Sequence, residues 1–144
     1  MIELRAVEPG ASLPCYEKQL SVAASQAFWE GSASAEKNYH YNEEVARAIG
    51  FPGLLISAPH LRALASEAMG HLFGDVWLRN GEIDIKFVGM VFAGATAVVR
   101  PTVAEIVVNG GSTTVVVDLR VDEGDLETRP VCVGKARVTL PDVR

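Results

Sequence analysis

The chain predicts an α+β domain in which an antiparallel sheet packs against one long helix. Three observations carry that reading. Hydrophobic spacing is helical in the first half and alternating in the second. Leu61, Leu64, Ala65, Ala68 and Leu72 recur at helical spacing and form one apolar stripe. Asn109-Gly110-Gly111 is a strong hairpin turn between two runs rich in Val, Thr and Ile. Helices first and strands after form segregated layers rather than an alternating α/β pattern.

The elements follow in order. Residues 1–13 contain Pro9-Gly10 and read as an irregular lead-in with, at most, a short strand. Cys15 to Leu20 suits a strand. Ser21 is placed to cap a helix from Val22 to Trp29, because its hydroxyl can accept from a first-turn N–H. Gly31-Ser32-Ala33-Ser34-Ala35 is small and polar, hence loop. Asn42 caps a second helix beginning Glu43-Glu44, with both acids where the helix dipole favours them. Gly50 and Pro52 end it. The long helix spans about Ala58 to Phe73. Pro59 fits its first turn, where no intrahelical N–H is needed. Arg62, Ser66 and Glu67 fall largely off the stripe, and Gly74-Asp75 closes the helix. Val76-Trp77-Leu78 and Gly81 to Phe87 alternate as strands do. Ala95 to Val108, Ser112 to Val121 and Pro130 to Leu140 are three further strands, with a turn at Asp122-Glu123-Gly124-Asp125. Gly134 marks a bulge or a close approach of backbone. A meandering sheet that curls around the helix stripe is the economical packing.

Size and composition narrow the function classes. The 144 residues suit a single domain over 1–144. A chain 49% hydrophobic and 22% charged is globular rather than disordered. A net charge of -5 with scattered Lys and Arg argues against nucleic acid or an acidic membrane as partner, while leaving room for a local basic pocket. No apolar run is long enough to span a membrane, and Met1 to Glu8 lacks a basic-then-apolar signal, so the cytoplasm is expected. Cys15 and Cys132 read as two reduced thiols or as one distant disulfide. His40, His60 and His71 lack metal-ligand spacing, and no P-loop, dinucleotide fingerprint or nucleophile elbow is present. No metal or other cofactor is expected.

The chemistry concentrates between Ala35 and His60. Histidine is the side chain whose ordinary charge change lies near neutral pH, and His40 precedes a helix start in a polar loop. It is a candidate general acid or base; the alternative is a histidine bonded to backbone at a corner. Glu36 is the nearest carboxylate, otherwise a solvated loop charge, and Glu30 is a second. Asn38 either orients a water or makes a turn. Ser57 and Ala58 open the long helix, where the Ala58 N–H and the dipole can polarise a carbonyl. The same residues also make an ordinary capped start. His60 is either the partner of a catalytic group or a surface histidine. Arg62, Arg79 and Lys86 either hold a carrier's phosphates or are solvated.

The stretch His40-Tyr41-Asn42-Glu43-Glu44-Val45-Ala46-Arg47-Ala48-Ile49-Gly50-Phe51-Pro52-Gly53 resembles the hydratase motif of MaoC-like and R-specific enoyl-CoA hydratases. That motif runs roughly H-x-D-x-x-x-A-x-x-x-G-[FY]-x-G, with Asn42 here in place of Asp. Lys86-Phe87-Val88-Gly89-Met90-Val91-Phe92-Ala93-Gly94-Ala95 is similar to the family's R-F-x-x-P-V-x-x-G-D, with Lys86 for Arg, Met90 for Pro and Ala95 for Asp. The resemblance covers about residues 16–140. It implies a hot-dog fold, in which the sheet wraps a central helix, and reversible hydration of a 2-enoyl thioester on CoA or acyl carrier protein. It makes His40 the catalytic histidine and the start of the long helix the oxyanion site, with Tyr39 and Gly53 beside the substrate. The family's second catalytic group is an Asp five residues before the histidine. Ala35 stands there. His40-Tyr41-Asn42, Leu54 to Pro59 and Trp29 look nearer to a sub-branch that includes fatty-acid-synthase-type dehydratases, which carries Asn at that position. The resemblance also implies a homodimer, or a heterodimer with another hot-dog chain. Two alternatives stand beside the hydratase. One is a non-catalytic or half-site subunit of a heteromeric hydratase, which Ala35 suits. The other is a hot-dog thioesterase or cyclase, for which Glu67 is the acid on the central helix.

Overall fold

A computed structural model describes residues 7–124 and 129–141. The first six residues of the lead-in and Asp125 of the last turn lie outside the described residues. Side-chain caps begin the three principal helices where the sequence places them. Ser21 Oγ accepts from Ala24 N at 3.0 Å and starts α1 (Val22–Trp29). Asn42 Oδ1 accepts from Glu44 N at 3.0 Å and Val45 N at 3.4 Å and starts α2 (Glu43–Ala48). Ser57 Oγ accepts from His60 N at 3.3 Å and starts α3 (Ala58–Phe73), with Pro59 in its first turn. Gly74 stops α3 with φ +61°, a conformation glycine adopts without Cβ strain.

A short helix, α4 (Asp75–Asn80), follows where Val76-Trp77-Leu78 was expected to be a strand. Trp77 accounts for the difference. Its ring is 5% exposed in the core, and its Nε1 donates to Ser66 Oγ of α3 at 2.9 Å. The helical turn brings Val76 and Trp77 onto the core together and leaves Leu78 79% exposed. A strand would have sent the adjacent pair to opposite faces.

Five antiparallel strands make one sheet in the order β1-β3-β4-β5-β2. They are β1 (Tyr16–Gln19), β2 (Gly81–Phe87), β3 (Thr96–Asn109), β4 (Ser112–Glu123) and β5 (Pro130–Pro141). β3, β4 and β5 form a meander, with Asn109 paired to Ser112 across the predicted hairpin. β2 joins out of sequence order, against β5. The other flank of β3 is already taken by β1 and by the preceding segment, whose Leu13 N donates to Pro101 O at 2.9 Å. β2 also leaves α4 beside β5, where Asn80 Nδ2 donates to Thr139 O at 3.1 Å. Gly134, opposite Ile85, is a point of close approach: a Cβ there would stand 2.6 Å from Ile85 Cα and collide with Asp84 O. The register shifts lie elsewhere, at Val103/Glu105 and Val121/Asp122.

The sheet packs against the α3 stripe. Leu61, Leu64, Ala65, Ala68 and Leu72 are all buried, together with Met69 and Phe73. Facing them are alternate residues of the strands: Ala97, Val99 and Val103; Val115, Val117, Leu119 and Val121; Ala136 and Val138. Each fully buried Val or Leu contributes about 1.5–3 kcal/mol over exposure, which helps offset the entropy of ordering the sheet. Cys15 and Cys132 are both free. Burial pushes the Cys132 thiol up to about 12.

Candidate active site

The segment before α2 is a corner tied by its own backbone. Ala35–Lys37 forms one 3-10 turn, and Asn38 N closes it on Ala35 O at 3.1 Å. Asn38 then makes the turn that the sequence suggested. Its Oδ1 accepts from His40 N at 2.7 Å, and its carbonyl accepts from Tyr41 N and Asn42 N. From outside the corner, the buried Ser25 hydroxyl donates to His40 O at 2.7 Å and Gln26 Nε2 donates to Tyr41 O at 3.2 Å. Asn42 Nδ2 donates to Glu36 O at 3.0 Å, so the cap of α2 also holds the 3-10 turn.

These bonds fix the backbone at His40, and one more fixes its ring. Nδ1 lies 2.6 Å from Leu55 O. A carbonyl only accepts, so Nδ1 carries the proton and donates it, which leaves Nε2 as the basic nitrogen. The imidazole stacks on Trp29 with centroids 5.4 Å apart and planes 10° from parallel. Tyr39 tilts against its other neighbours, 4.5 Å from the His40 ring and edge-on to Phe51. Leu55 is held in turn: its N–H donates to Tyr39 O at 3.2 Å, and it bridges to Phe92. The backbone-bonded corner histidine that the sequence offered as one reading is what Nδ1 makes, and Nε2 has no hydrogen-bond partner among the described residues.

Three residues beyond Leu55, α3 begins. Of its first N–H groups, that of His60 goes to Ser57 Oγ, that of Leu61 goes to Ser57 O, and Pro59 has none. The Ala58 N–H has no hydrogen-bond partner among the described residues. A first-turn N–H without an intrahelical partner is what a helix N-terminus presents to a neighbouring acceptor. Ser57 is buried and its hydroxyl is spent on the cap. Gly53 is partly buried, and nothing lies within 4 Å of where its Cβ would stand.

Glu36 and Glu30 are exposed, and no carboxylate bonds to His40 among the described residues. Ala35, five residues before the histidine, is only 8% exposed. Glu67 is taken elsewhere. Lys18 Nζ donates to it at 2.7 Å, and that bond holds its carboxyl below the usual range. Arg62, Arg79 and Lys86 are exposed and make no ion pair among the described residues. No three His, Cys, Asp or Glu side chains cluster as a metal site requires, again among the described residues.

Two buried nitrogens beside the corner have no partner among the described residues: Trp29 Nε1 and His60 Nδ1. His60 is partly buried, not a surface histidine. It stacks flat on Phe28 at 4.6 Å, and burial, then the charge of Lys18, lower its pKa. Buried orphans are rare in folded proteins and mark places completed by a water, a ligand or a partner. Sequence reasoning did not find Ser25 or the Leu55 carbonyl. Ser25 sits in a helix with no periodic signal, and a main-chain acceptor has no residue identity.

Solved structures resemble this architecture along nearly the whole chain. A MaoC-like dehydratase from Rhodospirillum rubrum matches with a TM-score of 0.77 and 18% identity, covering 100% of this chain and 99% of the other. The chain has the hot-dog fold. An R-hydratase, PhaJ1 from Pseudomonas aeruginosa, shares the hot-dog with a TM-score of 0.78 and 19% identity, over 96% of this chain and 84% of that one. The HadBC (3R)-hydroxyacyl-ACP dehydratase complex from Mycobacterium tuberculosis matches with a TM-score of 0.67 and 18% identity, over 92% and 96%. No family sequence model matches the chain, and neither does any curated protein sequence.

Proposed function

We propose that this hot-dog chain is a cytoplasmic hydro-lyase that adds water to, or removes it from, a 2-enoyl/3-hydroxyacyl thioester carried on CoA or acyl carrier protein. The carrying observation is the His40 ring, tied by Nδ1 to Leu55 O at 2.6 Å so that Nε2 is the working nitrogen. In the dehydration direction, Nε2 takes the proton from the carbon next to the thioester carbonyl. Negative charge then builds on the carbonyl oxygen, where the Ala58 N–H and the α3 dipole stabilise it. The hydroxyl leaves as water, protonated by the imidazolium or by Glu36. Asn38 sets the corner through the His40 N–H, and Tyr39 and Gly53 border the acyl path. Hydration is the same route reversed.

The test is hydration of a crotonyl thioester by the purified chain. His40→Ala removes a general acid–base group and lowers turnover by about 10²–10⁴-fold. Glu36→Gln weakens it. Equal rates in His40→Ala and the parent would refute the assignment. Release of free thiol instead of hydration would mean a thioesterase.

One observation favours a second reading. Ala35 is buried where the resemblance places a carboxylate, and none bonds to His40 among the described residues. A partner hot-dog subunit would then complete the site, and one of the similar structures is itself a two-protein complex. β1 and β2 are the sheet's edge strands, and Val88 and Met90 just beyond β2 are exposed, which suits pairing as a homodimer or heterodimer. Hydration that appears only when a second hot-dog protein is added identifies this reading.

A further inference from the structure

A cavity beside β3 and β4 shares no residue with the His40 corner. Arg100 and Arg120 stand directly opposite each other across the two strands. Like charges so placed repel, and Asp122, fully buried, holds both. Arg100 Nε donates to its Oδ2 at 3.1 Å, and Arg120 Nε lies 2.7 and 3.0 Å from its two oxygens. The carboxylate thus fixes the two guanidinium groups side by side. Arg120 Nη2, however, is shielded from water and has no acceptor among the described residues. Leaving such a donor unmet is unfavourable.

Both arginines border a cavity of about 320 Å³, walled also by Ser12, Cys15 and Thr102. That volume is at the small end of ligand sites. Ser12 and Thr102 bring hydroxyl donors, and no carboxylate lines the cavity among the described residues. The Arg120 side chain is 39% exposed, so an acceptor in the cavity can approach its guanidinium while Nε stays on Asp122. Fixed guanidinium forks with flanking hydroxyls match the oxygens of a tetrahedral oxyanion.

We propose that this cavity binds a phosphate group. The test titrates the full chain with inorganic phosphate, glycerol 3-phosphate and acetate, by calorimetry at low salt. Saturable phosphate binding is expected, at least about tenfold weaker in Arg120→Gln and in Ser12→Asp. Ser12→Asp places a charge at the exposed rim without touching the Arg100–Asp122–Arg120 bonds, so its result stands even if Arg120→Gln folds poorly. Tighter binding of glycerol 3-phosphate than of inorganic phosphate assigns the site to a phosphomonoester, and the reverse assigns it to the free ion. No saturable binding of either, unchanged binding in Ser12→Asp, or acetate bound as tightly as phosphate would overturn the proposal.

Discussion

Asn42 makes two kinds of bond, and replacing it separates them. Its Oδ1 caps α2 and its Nδ2 holds the Glu36 carbonyl at 3.0 Å. Asn42→Ala removes both. The cap is worth about 1 kcal/mol, and the exposed amide bond adds roughly 0.5–1 kcal/mol. A loss of about 1.5–2 kcal/mol lowers the Tm of a chain this size by about 3–8 °C. Asn42→Asp keeps an acceptor at the cap and gains roughly 0.3–1 kcal/mol from a negative charge at the helix start. A carboxylate cannot donate to Glu36 O, so that bond is lost, and the Tm stays within about 3 °C of the parent. Hydrogen exchange followed residue by residue distinguishes the two halves. In Asn42→Asp, the Lys37 and Asn38 amides, which close the 3-10 turn on Ser34 O and Ala35 O, exchange faster, while Glu44 and Val45 stay protected. In Asn42→Ala all four exchange faster. Unchanged exchange at Lys37 and Asn38 in both variants would refute the idea that this side chain holds the turn beneath His40.

Three further outcomes are expected. Gly134→Ala forces a methyl into the backbone of Asp84 and Ile85, so it costs about 3 kcal/mol and lowers Tm by about 6–12 °C, read by calorimetry. In the native protein at pH 8, iodoacetamide labels exposed Cys15 and spares Cys132, whose thiol is pushed up to about 12; mass spectrometry finds the second label only after unfolding. His60 has a folded pKa below histidine's ordinary 6.5, so the unfolded chain binds the proton first as pH falls. Its contribution to stability is full above 6.5 and is lost as pH drops from there toward the lowered folded value, a slope that His60→Asn flattens in urea titrations.

Long periodic features were legible in the sequence. The α3 stripe, three capping residues and the Asn109-Gly110-Gly111 hairpin all follow from spacing that local physics enforces. The failures came where a distant partner decided. Alternation over Val76-Trp77-Leu78 is too short to separate strand from helix, and the Trp77 bond to Ser66, eleven residues away, settled it. The placement of β2 against β5 depended on which flank of β3 was already occupied, which no local window contains. At the candidate site, His40 and the α3 start were visible as residue types in a pattern. Ser25, the Leu55 carbonyl and the unpartnered Trp29 and His60 nitrogens were not, because each is defined by what it faces in space.

The acceptor that orients His40 belongs to the main chain, and this shapes how the site tolerates mutation. Replacing the Leu55 side chain leaves the carbonyl in place, so residue 55 is free to drift in sequence while its duty persists. An alanine scan would pass over it. A change that moves the backbone between Leu54 and Ile56, which is pinned to Ala93 N and Val91 O, reaches the imidazole through that acceptor. The tautomer of His40 is therefore insulated from side-chain changes at residue 55 and exposed to insertion, deletion or proline in those three residues.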